Sequence, residues 1–141
     1  MAVVMDAEAL AAFMQEAFTQ VADDFAIDAV EENALTMRLL TAERHLRPGG
    51  TVSGPSMFAL CDVAAYLVIL SQIGPRALAV TTNCSIDFMR KPSADVPLVA
   101  HARLLKLGRQ LAVTDVMLLP EGSDKPVARA SLTYAIPPDG V

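Results

Sequence analysis

The stretch SGPSMFALCDVAAYLVILSQI, residues 53–73, decides how this chain folds. Ser53 has the side-chain chemistry of a helix N-cap, and Pro55 suits a first turn, where a missing N–H is harmless. Gly74-Pro75 supplies the stop. Between cap and stop the helix is apolar nearly all round: Met57, Phe58, Leu60, Val63, Ala64, Ala65, Leu67, Val68, Ile69 and Leu70 leave it without a polar face. Such a helix must be wrapped on most sides by a sheet or by a partner subunit. Its length would also serve a membrane span, but Asp62 near the middle argues for the buried helix of a folded domain.

The flanking sequence supplies the wrapping. From Leu78 onward every segment has strand character: 78–89, 96–107, 110–119 and 127–136, separated by Gly108-Arg109 and by Pro120-Glu121-Gly122-Ser123-Asp124. Long strands joined by tight turns make an antiparallel sheet. Upstream, Phe25, Ile27 and Ala29 alternate with Asp28, and Leu35, Met37 and Leu39 alternate with Thr36 and Arg38 across the turn Glu31-Glu32-Asn33. They are expected to form a hairpin. Residues 41–53 are expected to be an irregular loop around Pro48-Gly49-Gly50. Helical spacing of Leu10, Phe13, Met14, Ala17, Phe18 and Val21 predicts an amphipathic helix over 6–23, with Asp6 as its N-cap. The fold class is therefore α+β. A single domain of residues 1–141 is expected, with the N-terminal helix in 1–24, the core in 25–136 and a tail in 137–141.

The chain has 141 residues, which suits one domain. Hydrophobic letters make up 53%, more than a lone globule of this size hides easily, so an oligomer is expected. Residues 1–32 hold eight acids and no Lys or Arg, while residues 33–141 hold eleven basic and eight acidic residues, a net charge of +3. No dense basic stripe exists for nucleic acid, but the mildly basic body suits a small polyanion such as a nucleotide-bearing cofactor. Cys61 and Cys84 lie in apolar segments without metal-type spacing and are expected to be buried free thiols in a reducing, cytoplasmic setting. No basic-then-apolar leader is evident at the N-terminus, and neither histidine has metal-ligand spacing, so no metal is expected.

Asp62 is the anomaly, because an unpartnered carboxylate in an apolar helix costs several kcal/mol or changes its protonation. Either it is a structural acid hydrogen-bonded to a backbone end or a neighbouring chain, or it is a general base or nucleophile at a subunit seam. Before it, Ser53-Gly54 opens the helix, where free N–H groups carry partial positive charge and could polarise a carbonyl oxygen. Gly54 lets a ligand approach the backbone, or it is only a turn that needs a small residue. His45 falls in a loop and His101 in a strand, the latter with the character of a surface histidine. Ser53 is not in a G-x-S-x-G elbow, and no G-x-G-x-x-G or P-loop occurs. Arg90-Lys91 and Lys106-Leu107-Gly108-Arg109 end strands; they are solvated ends or phosphate-binding groups. Thr81, Asn83, Ser85 and Asp87 alternate with apolar residues and form a polar row.

Together, Gly50-Thr51-Val52-Ser53-Gly54 with Leu60-Cys61-Asp62, then Thr81-Thr82-Asn83-Cys84-Ser85-Ile86-Asp87-Phe88-Met89-Arg90-Lys91-Pro92 and Lys106-Leu107-Gly108-Arg109, resemble the PaaI-like acyl-CoA thioesterases of the hot-dog fold. The resemblance covers roughly residues 25–136. That family shows G-T-x-H-G-G with an acid nine residues after the histidine, and nine from Ser53 is Asp62. The resemblance implies a long central helix wrapped by an antiparallel sheet, two subunits pairing their sheets side by side, and often a tetramer of such dimers. It implies acyl-CoA at the seam, no cofactor beyond coenzyme A as part of the substrate, and neither membrane nor nucleic acid as a partner. Asp62 takes the place of the acid that activates water or attacks the thioester, Gly54 that of the oxyanion donor, and Thr81 that of the hydroxyl that orients the water. Arg47, Asn83, Arg90, Lys91, Gly108 and Arg109 are the substrate-binding candidates.

Three positions depart from the family: Ser53 stands for the histidine, Pro55 for the second glycine, and Arg47 for an asparagine six residues before the histidine. Ser53 could still donate one hydrogen bond, and Arg47 could pair with Asp62 or with a CoA phosphate. The resemblance thus implies a thioesterase for a small or medium acyl-CoA, with a non-catalytic acyl-CoA-binding or sensing protein as the alternative. A hot-dog hydratase would carry an Asp–His pair on the helix, and no histidine is near Asp62. Whatever its chemistry, the apolar excess predicts self-association: light scattering at micromolar protein is expected to give a dimer or tetramer mass, and a monomer mass would contradict it.

Overall fold

In a computed structural model, residues 3–138 are described. The long helix is α2, Gly54–Ile73. Its start follows from the sequence: Ser53 is extended (φ −73°, ψ 156°) and its Oγ accepts from the Ser56 N–H, with Pro55 in the first turn. Its end follows too, because Gly74 takes φ +97°, a region open to glycine, and gives its N–H to the Leu70 carbonyl. Leu60, Cys61, Ala64, Ala65 and Leu67–Leu70 are fully buried. Among the described residues α2 is the one helix long and apolar enough to cross a membrane, and here it is the core of the domain.

Six strands enclose it: β1 Phe25–Glu31, β2 Ala34–Leu39, β3 Val80–Phe88, β4 Leu98–Leu107, β5 Leu111–Pro120 and β6 Ala128–Ala135. They form one sheet in the order β1-β2-β4-β5-β6-β3, with every neighbouring pair antiparallel. α2 packs chiefly on β4, β5 and β2. The alternation of each strand decides which side chains meet the helix. Met37, Leu98, Ala100, Val116, Leu118, Ala130 and Leu132 all point inward and are buried. Thr114 is the polar exception on that face, and its hydroxyl donates to the Leu132 carbonyl at 3.0 Å. This is the hot-dog fold, a sheet wrapped round one helix, with an extra N-terminal helix α1, Ala7–Ala17, laid beside β1.

Three details differ from the sequence pattern. The first helix stops at Ala17 rather than near residue 23, capped by Phe18, whose N–H reaches the Met14 carbonyl. The chain then turns, because it must enter β1 at Phe25 in register with Leu39. The 41–53 loop is less irregular than expected: it holds a short 3-10 turn, Glu43–His45, and the bridges Leu46–Val52 and Thr51–Ser93. Cys61 is buried as expected, whereas Cys84 is only partly so.

The packing round α2 has a measurable consequence. Leu70 is fully enclosed, so Leu70→Ala is expected to cost about 2–5 kcal/mol, the usual range for a core leucine truncated to a methyl. Urea unfolding at one fixed protein concentration checks this.

Candidate active site

Asp62 lies in the third turn of α2, and two hydroxyls converge on it. Thr81 Oγ1 donates to Asp62 Oδ1 at 2.5 Å. The Tyr134 hydroxyl lies 2.7 Å from the same Oδ1 and 2.9 Å from the backbone carbonyl of Asp62. Oδ2 has no protein partner among the described residues. The backbone explains the convergence. Thr81 is opposite Tyr134 and Asn83 is opposite Thr133, so Thr82 is the extra residue of a β-bulge. A bulge flips the side-chain parity of a strand. Thr81 therefore shares the inner face with Cys84 and Ile86, while Thr82, Asn83, Ser85 and Asp87 are exposed. The expected polar row from Thr81 to Asp87 is thus broken after its first member, and the break aims Thr81 at the acid.

Behind the carboxylate stand rings. Tyr134 lies 6.0 Å from Tyr66 between ring centroids, and the Tyr66 hydroxyl donates to the Ala77 carbonyl at 2.9 Å. Burial, helped by the Asp62 charge, pushes the Tyr134 phenol far above its ordinary range, so it stays a donor. Burial alone pushes Tyr66 up to about 12. Cys61 is pushed up to about 12 by burial, then by Cys84 and Asp62, which makes it an inert thiol. A cavity of about 360 Å³ opens beside Asp62, Thr81 and Tyr134.

Gly54 occupies a second cavity, of about 320 Å³, with Arg47, Phe88, Arg90 and Lys91. The first turn of α2 offers very few free donors. Pro55 has no N–H, the Ser56 N–H is taken by Ser53 Oγ at 3.2 Å, and the Met57 N–H by the Ser53 carbonyl at 3.0 Å. Gly54 N–H makes no hydrogen bond among the described residues, so it is the donor left over. Neither φ nor packing demands glycine there, since φ is not positive and an added Cβ would meet the Phe88 ring at 3.7 Å, an ordinary contact. What favours glycine is Pro55, which disfavours a Cβ on a helical residue before it. Arg90 Nη1 donates to the Pro126 carbonyl at 2.6 Å, which holds that guanidinium at the rim.

The predicted residues therefore fall into separate groups. Asp62 and Thr81 come together, and Arg47, Gly54, Arg90 and Lys91 come together elsewhere. Ser53 is a cap whose hydroxyl also donates to Ser56 Oγ at 3.0 Å. Arg47 lines the Gly54 cavity rather than meeting Asp62. Gly108 and Arg109 line a third cavity of about 690 Å³ with Ile73, at the C-terminal end of α2. Asn83 faces out from β3. His45 is buried, its Nδ1 accepting from the Ala42 N–H at 2.9 Å, and its carbonyl holds the Ser53 N–H at 2.8 Å. Among the described residues no cluster could hold a metal. Tyr134 was missed because no spacing links it to Asp62; only its place on the inner face of the last strand hinted at a role.

The family model described as the thioesterase superfamily matches residues 49–127. Among solved structures, a candidate thioesterase from Silicibacter sp. TM1040 is 56% identical, with a TM-score of 0.90 over 98% of this chain and 96% of that one. The phenylacetic acid degradation protein PaaI of Thermus thermophilus, solved as a mutant, is 25% identical, with a TM-score of 0.70 over 89% of this chain and 99% of that one. A Streptococcus mutans protein bound to acetyl CoA is 24% identical, with a TM-score of 0.68 over 80% and 88% of the two chains. No curated protein sequence matches this chain.

The buried acids of the site set a pH limit. Cys61 and Tyr66 ionise near 9 and 10 when unfolded but hold their protons to about 12 in the fold. Between those values the unfolded chain binds fewer protons, so stability is full below about pH 9 and falls as pH rises toward 12. Denaturation from about pH 8 to pH 11 is expected to show this loss, and Tyr66→Phe with Cys61→Ala is expected to reduce it, the rest being carried by Tyr134 and Cys84, which burial also raises.

Proposed function

The chain belongs to the thioesterase superfamily, and from that premise we propose that it hydrolyses the thioester of a small or medium acyl-CoA at a site shared by two copies. The observation that carries this is the position of β3. Gly54 and Asp62 are eight residues apart on one helix, about 12 Å at 1.5 Å per residue, so one carbonyl cannot touch both within a single copy. β3 is an edge strand that starts at the acid, through Thr81, and ends at the glycine, through Phe88. Antiparallel pairing of two β3 edges about the strand's middle lays Thr81 of one copy beside Phe88 of the other. Asp62 of each copy is then brought toward Gly54 of its mate. The exposed Val80, Phe88 and Met89 on this edge favour such burial.

In that arrangement Thr81 and Tyr134 pin Oδ1, and Oδ2 is left to work on a water. The water's oxygen bonds to the thioester carbon as its proton passes to Asp62. The resulting oxyanion is held by Gly54 N–H from the second copy. Collapse breaks the C–S bond, the departing sulfur takes the proton from Asp62, and a carboxylic acid and free coenzyme A leave. Arg47, Arg90 and Lys91 around Gly54 suit the phosphates of the coenzyme, and the acetyl CoA bound to the Streptococcus mutans protein of the same fold supports that ligand class.

Thiol release across a panel of acyl-CoAs tests the proposal. Asp62→Asn is expected to lower kcat by at least ~10²-fold. Gly54→Pro removes the N–H at a first-turn position, after a Ser53 already in the conformation that precedes a proline. Because it also sets a ring before Pro55, it is read against Gly54→Ala, which makes the same approach to Pro55 but keeps the N–H. The proline variant is expected to cost roughly 10²–10³-fold, the worth of one oxyanion donor. Coexpressing Asp62→Asn with Gly54→Pro is expected to restore activity, because a mixed dimer holds one intact site. Saturable binding by the unaltered protein without thiol release would instead show a binding or sensing protein.

A further inference from the structure

We propose that the cavity beside Asp62 receives the acyl arm of the thioester, and that Phe18, from the end of α1, limits how long that arm can be; this rests on the hydrolase function proposed above. The two arms of an acyl-CoA differ sharply in charge, and so do the two cavities. Around Gly54 stand Arg47, Arg90 and Lys91. Around Asp62 the lining includes Phe18, Val63, Tyr66, Ala79 and Val80, and its one charged residue is Asp62 itself. A polyphosphate would be repelled from the second cavity and attracted to the first, whereas an alkyl or aryl group gains by burial in the second.

The depth of that cavity is set by a train of rings. Tyr134 touches the carboxylate through its hydroxyl. Tyr66 follows at 6.0 Å, and Phe18 stands edge-on to Tyr66 at 6.1 Å and 85°. Tyr66 is fixed by its bond to the Ala77 carbonyl. Phe18 is fixed by its backbone: its N–H reaches the Met14 carbonyl, and its own carbonyl accepts from Val21 at 3.2 Å and Ala22 at 3.1 Å. Phe18 is therefore the one aromatic side chain that the turn after α1 contributes to this cavity, beside Ala17 and Gln20, and the segment lies outside the 49–127 core that matches the family model. Shortening that side chain lengthens the cavity without disturbing the acid.

The test measures kcat/KM over straight-chain acyl-CoAs of increasing length for the unaltered protein and for Phe18→Ala, Phe18→Leu and Phe18→Trp. The optimum is expected to move to longer chains with Ala, less so with Leu, and to shorter chains with Trp. The gain is expected to be about fourfold for each methylene newly accommodated, the worth of burying one. Phe18→Leu keeps an apolar side chain at this partly buried position and so reports even where Phe18→Ala unfolds. Binding of non-hydrolysable thioether analogues of the same lengths gives a readout independent of turnover. If the unaltered protein releases no thiol yet its affinity profile shifts with Phe18, the hydrolase function fails and the acyl pocket stands. If neither profile moves in folded variants, the pocket assignment is wrong.

Discussion

A helix with no polar side has to be enclosed, and everything else in this molecule follows from that enclosure. α2 presents apolar side chains in every direction, so a sheet confined to one of its flanks could not satisfy it. The six strands curve round it, and α1 closes part of what they leave open. Once the helix is fully surrounded, a charged group on it must point into a seam, whereas the uncharged Ser71 and Gln72 are buried on hydrogen bonds within the fold. Asp62 points into such a seam, at the end of the sheet where, among the described residues, β3 is the last strand and its outer edge is unpaired. The position of the acid is thus a consequence of where the wrapping stops.

The same edge explains how one strand can serve two half-sites. β3 runs the length between the acid and the start of α2, touching the first through Thr81 and the second through Phe88. A strand left unpaired is a hazard, because its free N–H and C=O groups invite any other chain. Its exposed apolar residues, Val80, Phe88 and Met89, suit the second copy proposed above. In the dimer proposed above, twofold pairing turns that hazard into the condition for assembling acid and oxyanion donor around one substrate.

The fold was legible because its signals were local. Ser53 with Pro55, the Gly74-Pro75 stop, and the strand character of the segments that became β4, β5 and β6 each act over a few residues, and the structure bears them out. Asp62 was legible for the same reason, as a charge where burial forbids one without a partner. What escaped was long-range. The bulge at Thr82 is a property of how β3 meets β6, not of the β3 sequence, and it separates Thr81 from Asn83, Ser85 and Asp87. Tyr134 reaches Asp62 across 72 positions of chain. Arg47 could have met the acid or the helix start, and only the 41–53 loop, tied down by the Leu46–Val52 and Thr51–Ser93 bridges, settles it beside Gly54.

The departures from the family pattern then acquire a physical meaning. A histidine at position 53 would leave the helix start without its hydroxyl cap, and a glycine at position 55 would offer a further N–H. In this chain Ser53 spends its oxygen on the Ser56 N–H, and Pro55 withholds a donor altogether. The first turn is better capped and more rigid, and its capacity to hold an anion narrows to the Gly54 N–H. At Asp62 two hydroxyls of this chain grip the acid, and the second comes from the tyrosine that also lines the neighbouring cavity. Polar support for the acid comes from the β3–β6 end of the sheet. Orientation of the carboxylate thereby depends on side chains of its own copy, while in the dimer proposed above the oxyanion contact depends on one backbone group of the mate.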